Sequence, residues 1–101
     1  MRPGEGWRGT EKRRYARVSV SLPAALLLYR QRLAVRLIDF SRGGAMGKVE
    51  DGVAPARGDE VVLALEKLEV VATVAWENDG SFGLAFHRPL EGWQIPSAID
   101  L

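Results

Sequence analysis

The sequence predicts an all-β domain, a small barrel or sandwich, from three observations. Short alternating or Val-rich runs recur along the chain, turn-forming residues separate them, and no segment has both the length and the period of a helix. With 101 residues there is room for one domain and one modest core. A closed barrel suits that size because it leaves no exposed sheet edge.

Residues 1–10, with Pro3, Gly4, Gly6 and Gly9, show no periodicity and read as a flexible N-terminal arm. Trp7 within the arm either docks on the domain or stands exposed. The domain proper is read over 11–88. From Tyr15 the pattern alternates, with Val18, Val20 and Leu22 on one face and Arg17, Ser19 and Ser21 on the other. Pro23 interrupts that run and marks an edge position or a bulge. Ala24 to Tyr29 favours helix by propensity but is too short to hold one, so it reads as strand. Leu33 to Ile38 alternates again. Asp39-Phe40-Ser41-Arg42-Gly43-Gly44 reads as a loop by composition, and Ala45 to Val49 as a short strand. Gly52, Pro55 and Gly58 mark a connection over Glu50 to Asp59. Glu60 to Leu65 and Leu68 to Glu77 are Val-rich strands joined by the Glu66-Lys67 turn. Asn78-Asp79-Gly80 is a hairpin signal, and Phe82 to His87 returns as the last strand. Pro89, Gly92 and Pro96 break the tail, residues 89–101, into a short irregular segment.

Composition excludes much chemistry. The chain has no Cys and a single His, His87, so disulfides, thiolate metal sites and His-based triads are absent. No pair of carboxylates or nucleophile with a base stands out, and no enzyme or catalytic residue is expected. No apolar run approaches a membrane span, and the N-terminus lacks a signal-peptide core; a soluble cytoplasmic protein is the expectation. The net charge of +1 conceals an asymmetry: residues 1–36 carry a balance of +7 and residues 37–101 one of −6. Either the basic half meets an anionic partner or the halves neutralise each other in the fold.

Two segments carry the chemistry. Lys12-Arg13-Arg14-Tyr15-Ala16-Arg17 leads from the arm into the first strand, and Asp39 to Gly44 leaves a later one. An arginine fork reaches O6 and N7 of guanine together, pairs with phosphate and stacks on a base. A carboxylate accepts from the N–H groups of the other guanine edge, a serine adds a small hydroxyl, and glycine permits close approach. Together they describe a receptor for an anionic guanine nucleotide. The plainer reading makes Arg13, Arg14 and Arg17 solvated surface charges, and Asp39 and Ser41 turn-shaping residues. Trp76 reads first as core or barrel rim, with lining of the ligand surface the lesser alternative, and His87 as exposed and inert. Trp93 and Ile95 read as pins holding the tail to an apolar patch, with a partner-binding role the alternative.

Arg13-x-x-x-Arg17 followed across two strands by Asp39-x-Ser41-x-x-Gly44 resembles the PilZ domain. The resemblance covers Glu11 to Arg88 and includes Gly58-Asp59 before a Val-rich strand and the closing Gly83-Leu84-Ala85-Phe86. It implies a six-stranded antiparallel β-barrel that binds the bacterial second messenger cyclic di-GMP, without a further cofactor. By the same resemblance Arg13 and Arg17 would grip guanine edges and phosphates, with Arg14 a further phosphate or stacking contact. Asp39 and Ser41 would hydrogen-bond a guanine, and Gly44 would leave space and shape the turn. The helix that often follows the barrel in this family has no counterpart in the Gly/Pro-broken tail.

The implied function is a receptor module that signals to a downstream protein partner as ligand orders its arm. A second reading is a PilZ-like adaptor that binds proteins with weak or no nucleotide affinity. A third, a basic barrel that binds nucleic acid, wants exposed aromatic platforms, whereas aromatics make up 8% of the chain and mostly sit at core positions.

Overall fold

Residues 16–91 and 94 are described by the computed structural model. Six strands follow one another: β1 (Val18–Leu28), β2 (Gln31–Phe40), β3 (Gly44–Val49), β4 (Glu60–Leu65), β5 (Leu68–Asn78) and β6 (Ser81–Phe86). Every neighbouring pair is antiparallel, and the sheet closes into a barrel in the order β1-β2-β3-β6-β5-β4. No α-helix occurs among the described residues.

The two runs on either side of Pro23 form one strand. Pro23 pairs with Arg36 of β2, while β4 reaches only Ala25–Leu27, so no second ladder runs beside the proline. The irregularity expected there lies just ahead of it, as a register shift between Ser19 and Leu22. Alternation then delivers Leu26, Val35, Leu37, Phe40, Leu63, Ala72 and Phe82 to the interior, each with no exposed surface. Burying one such Leu or Phe contributes about 1.5–3 kcal/mol. The rings of Phe40 and Phe86 meet at 5.5 Å and 54°, a tilted contact of the kind that aromatic pairs prefer.

One loop assignment is overturned. Asp39 and Phe40 are the last two residues of β2, not the start of a loop, and Phe40 is among the fully buried side chains. Its burial decides the matter, because a polar loop would leave that ring in water. The turns follow the glycine and Asx signals. Asp79 and Gly80 both have positive φ (50° and 87°), which matches the twist of the β5–β6 hairpin. In the β3–β4 connection, Gly58 takes φ 93° and the Asp59 carboxylate accepts from the Ala56 N–H at 2.8 Å. That gives Gly58-Asp59 a structural role at the entry to β4. Past β6 the chain stays tied to the barrel at Leu90. Leu90 is buried in the core, its N–H donates to the Arg42 carbonyl at 2.8 Å, and Arg42 Nε donates to the Leu90 carbonyl.

Candidate functional site

Strict alternation along β2 and β5 would hide the residues of interest. From Val35 and Leu37, period two would turn Asp39 inward; from Val70, Ala72 and Val74 it would turn Trp76 inward. A bulge on each strand reverses this. Leu37 pairs with Gly47 but Asp39 with Met46, so Ile38 is an extra residue on β2. Val74 pairs with Leu84 but Trp76 with Gly83, so Ala75 is an extra residue on β5. Each bulge switches faces, placing Phe40 inside and Asp39 outside, and sending Trp76 to the surface.

The result is one row on the outer face. Ser19, Asp39, Met46, Gly83 and Trp76 are successive partners across β1, β2, β3, β6 and β5. Over this row lies an open concavity of about 500 Å³, lined by Arg17, Asp39, Ser41, Gly44, Trp76 and Gly83 among others. That volume is in the range of small-ligand sites.

Within it, Arg17 Nη2 lies 3.0 Å from Asp39 Oδ2, a pair that stays partly exposed to water. Ser41 works locally. Its hydroxyl accepts from the N–H groups of Gly43 (3.1 Å) and Gly44 (3.2 Å), and its own N–H donates to the Gly44 carbonyl at 2.8 Å. Gly44 is a glycine for steric reasons as well, since a β-carbon there would fall 2.2 Å from the Leu84 carbonyl oxygen of β6. Gly83 lies beneath the Trp76 indole, where a β-carbon would sit 2.1 Å from Nε1.

The fold therefore brings together Arg17, Asp39, Ser41 and Gly44 from two separate stretches of sequence. Arg13 and Arg14 lie outside the described residues, as do Trp7, Trp93 and Ile95. A family model for the PilZ domain matches residues 11–94. The chain belongs to the PilZ domain family. No curated protein matches it closely enough to count as a relative. PilZ domains are cyclic di-GMP receptor and adaptor modules rather than enzymes, and often act through protein partners. In this PilZ domain the arginine motif meets the Asp-Ser-Gly motif at the Arg17–Asp39 pair.

Sequence reasoning underrated Trp76. Read first as core or rim, with the ligand surface only the lesser alternative, it is 40% exposed and lines the concavity. Three apolar residues in succession, Val74-Ala75-Trp76, carried the available signal: they break period two where the bulge occurs. Met46 gave no signal, and Gly83 entered only as part of the closing Gly83-Leu84-Ala85-Phe86 of the resemblance; the register shows that both floor the site. His87 is exposed, as expected, but it is engaged, with Nε2 at 2.9 Å from Thr73 Oγ1 and 3.6 Å from Glu60 Oε2.

Proposed function

We propose that this PilZ domain binds cyclic di-GMP on the outer face of β2, β3, β6 and β5. The Arg17–Asp39 pair beside the Ser41–Gly44 turn, inside one concavity, carries the reading. A guanidinium and a carboxylate side by side suit a guanine, which presents acceptors on one edge and N–H donors on the other. Arg13 and Arg14, four and three residues ahead of Arg17, supply further cations for the two phosphates. Trp76 adds a flat apolar surface on which a base stacks, bared because Gly83 has no side chain to prop the indole away from the sheet.

Residues 1–15 bring the remaining motif arginine and a run of like charges, Lys12-Arg13-Arg14, which repel one another until an anion neutralises them. Ligand thus orders the few residues around Arg13 over the barrel, at a backbone cost of roughly 1–2 kcal/mol each. The new surface signals to a downstream protein.

Isothermal titration of the full chain with cyclic di-GMP, with GTP and cyclic di-AMP as controls, tests this. Selective binding of cyclic di-GMP with a shallow salt dependence is expected. A steep salt dependence with RNA or single-stranded DNA as the better ligand would make it a nucleic-acid binder. No binding of any nucleotide would leave the protein-interaction adaptor.

A further inference from the structure

The tip of the β1–β2 hairpin presents side chains that neither the core nor the nucleotide site uses. Tyr29 stands there 90% exposed, with φ at 55°. The other described non-glycine residue with positive φ is Asp79, a type that tolerates the left-handed region. At Tyr29 the two-residue turn between the partners Leu28 and Gln31 calls for positive φ, a geometry that Gly or Asn meets at lower cost than a bulky tyrosine. Glycine would avoid that cost, and Tyr29 gains almost no packing in exchange.

Charge at the tip is unspent as well. Arg17 and Arg36 each hold a carboxylate at 3.0 Å, whereas Arg30 and Arg32 have none among the described residues. A second apolar side chain stands at the same end of the barrel. The chain after β3 continues alongside β2, with Glu50 N–H donating to the Ala34 carbonyl and Gly52 packed on Leu33; the next residue, Val53, is 87% exposed. Along β2 the tip lies eight residues from Asp39, roughly 25 Å of strand, so it stays open when the concavity is filled.

We propose that Tyr29, Arg30, Arg32 and Val53 form a docking site for an acidic protein segment that carries a large apolar side chain. Tyrosine and arginine are the types that concentrate binding energy at interfaces. Two guanidiniums with no carboxylate among the described residues, one and three positions after an exposed tyrosine, fit a segment that carries carboxylates beside an apolar residue. Nucleic acid would want a longer cationic track with several aromatic platforms, and a membrane surface a broader apolar face.

The test selects random 12-residue peptides displayed on phage against the full chain. The counter-selection uses the triple variant Tyr29→Gly, Arg30→Ala, Arg32→Ala. The site requires enriched peptides rich in Asp and Glu with a Leu, Phe or Trp among them. A synthetic peptide from that set should lose at least tenfold in affinity for the variant, and Tyr29→Gly alone should weaken it with a melting temperature at or above the parent's. Vesicles of phosphatidylglycerol and a 12-nucleotide RNA form the other arms. The proposal is overturned if no peptide depends on these residues, if the dependent peptides lack acids, or if vesicles or RNA are bound through them instead. None of these outcomes involves cyclic di-GMP, so the docking site and the nucleotide site stand or fall separately.

Discussion

The indole of Trp76 lies across Gly83 so closely that a β-carbon on residue 83 would fall 2.1 Å from Nε1 and 2.5 Å from Cε2. The two are cross-strand partners next to the β5 bulge, so ring and glycine form one surface element. Gly83→Ala should push the ring off the sheet while the barrel stays folded, since Trp76 is exposed and can swing outward. Cyclic di-GMP affinity should fall, and Trp76→Ala should cost about 1–3 kcal/mol of binding. Titration calorimetry on both variants measures this; unchanged affinity in both would remove the stacking surface from the site.

Arg17→Ala should separate binding from stability. The pair with Asp39 is partly exposed, and such pairs contribute no more than about 1 kcal/mol to folding. A lost charge-assisted contact to the ligand costs about 1.5–3 kcal/mol. Arg17→Lys should recover only part, because an ammonium lacks the planar fork. Denaturant melts beside binding isotherms make the comparison, and equal affinity in parent and Arg17→Ala would refute the assignment.

Asp39→Ala and Ser41→Ala should both weaken binding and reduce the preference for guanine over adenine, read as the ratio of cyclic di-GMP to cyclic di-AMP affinity. They should differ in stability. Ser41 caps two backbone N–H groups in the turn, and its loss should cost about 0.5–1.5 kcal/mol of folding. If Ser41→Ala lowers stability and leaves binding intact, Ser41 serves the turn alone.

Gly44→Ala should behave as a folding variant first. The obstructing atom is the Leu84 backbone carbonyl, which cannot move without disturbing the β3–β6 ladder. A loss of about 1–3 kcal/mol follows from comparable overpacking, or roughly 4–8 °C of melting temperature per kcal/mol in a domain of this size. A thermal scan by circular dichroism checks it.

Residues 11–15 should change motion on binding. Backbone NMR relaxation should show faster local motion around Arg13 without cyclic di-GMP and restricted motion at saturation. A segment equally rigid, or equally mobile, in both states would refute ligand-induced ordering even with the barrel contacts correct.

Strands and turns were legible wherever period two ran undisturbed, as in Glu60 to Leu65 and around Asp79-Gly80. Reading failed where a bulge inserted one residue. Asp39-Phe40 read as loop by the composition of Asp39 to Gly44, with the bulge at Ile38 breaking the alternation that would have extended the strand, and Trp76 read as core or rim because Ala75 shifts the phase. Those two shifts place Asp39 and Trp76 on one outer face. Propensity is local, whereas a bulge is defined only against a partner strand, so the motif residues could be named from sequence but not the row joining them. Ser41 and Gly44 were readable by type, yet their turn-holding and steric duties emerge only from the neighbouring backbone.

Barrel closure rests on a narrow seam. β1 meets β4 through three residue pairs, Ala25 with Ala64, Leu26 with Leu63 and Leu27 with Val62, against nine between β1 and β2. Those partners lie more than thirty residues apart in the chain, as do those of β3 and β6, so both seams carry a loop-closure cost that the hairpins avoid. The β3–β6 partners lie as far apart but form five pairs, so the three-pair seam is the one expected to open first, and backbone amides at Ala25 to Leu27 should exchange with solvent through an opening that leaves the other five seams intact. Asp39, Met46, Gly83 and Trp76 all lie on those other strands. Opening at that seam would leave in place the surface proposed for cyclic di-GMP.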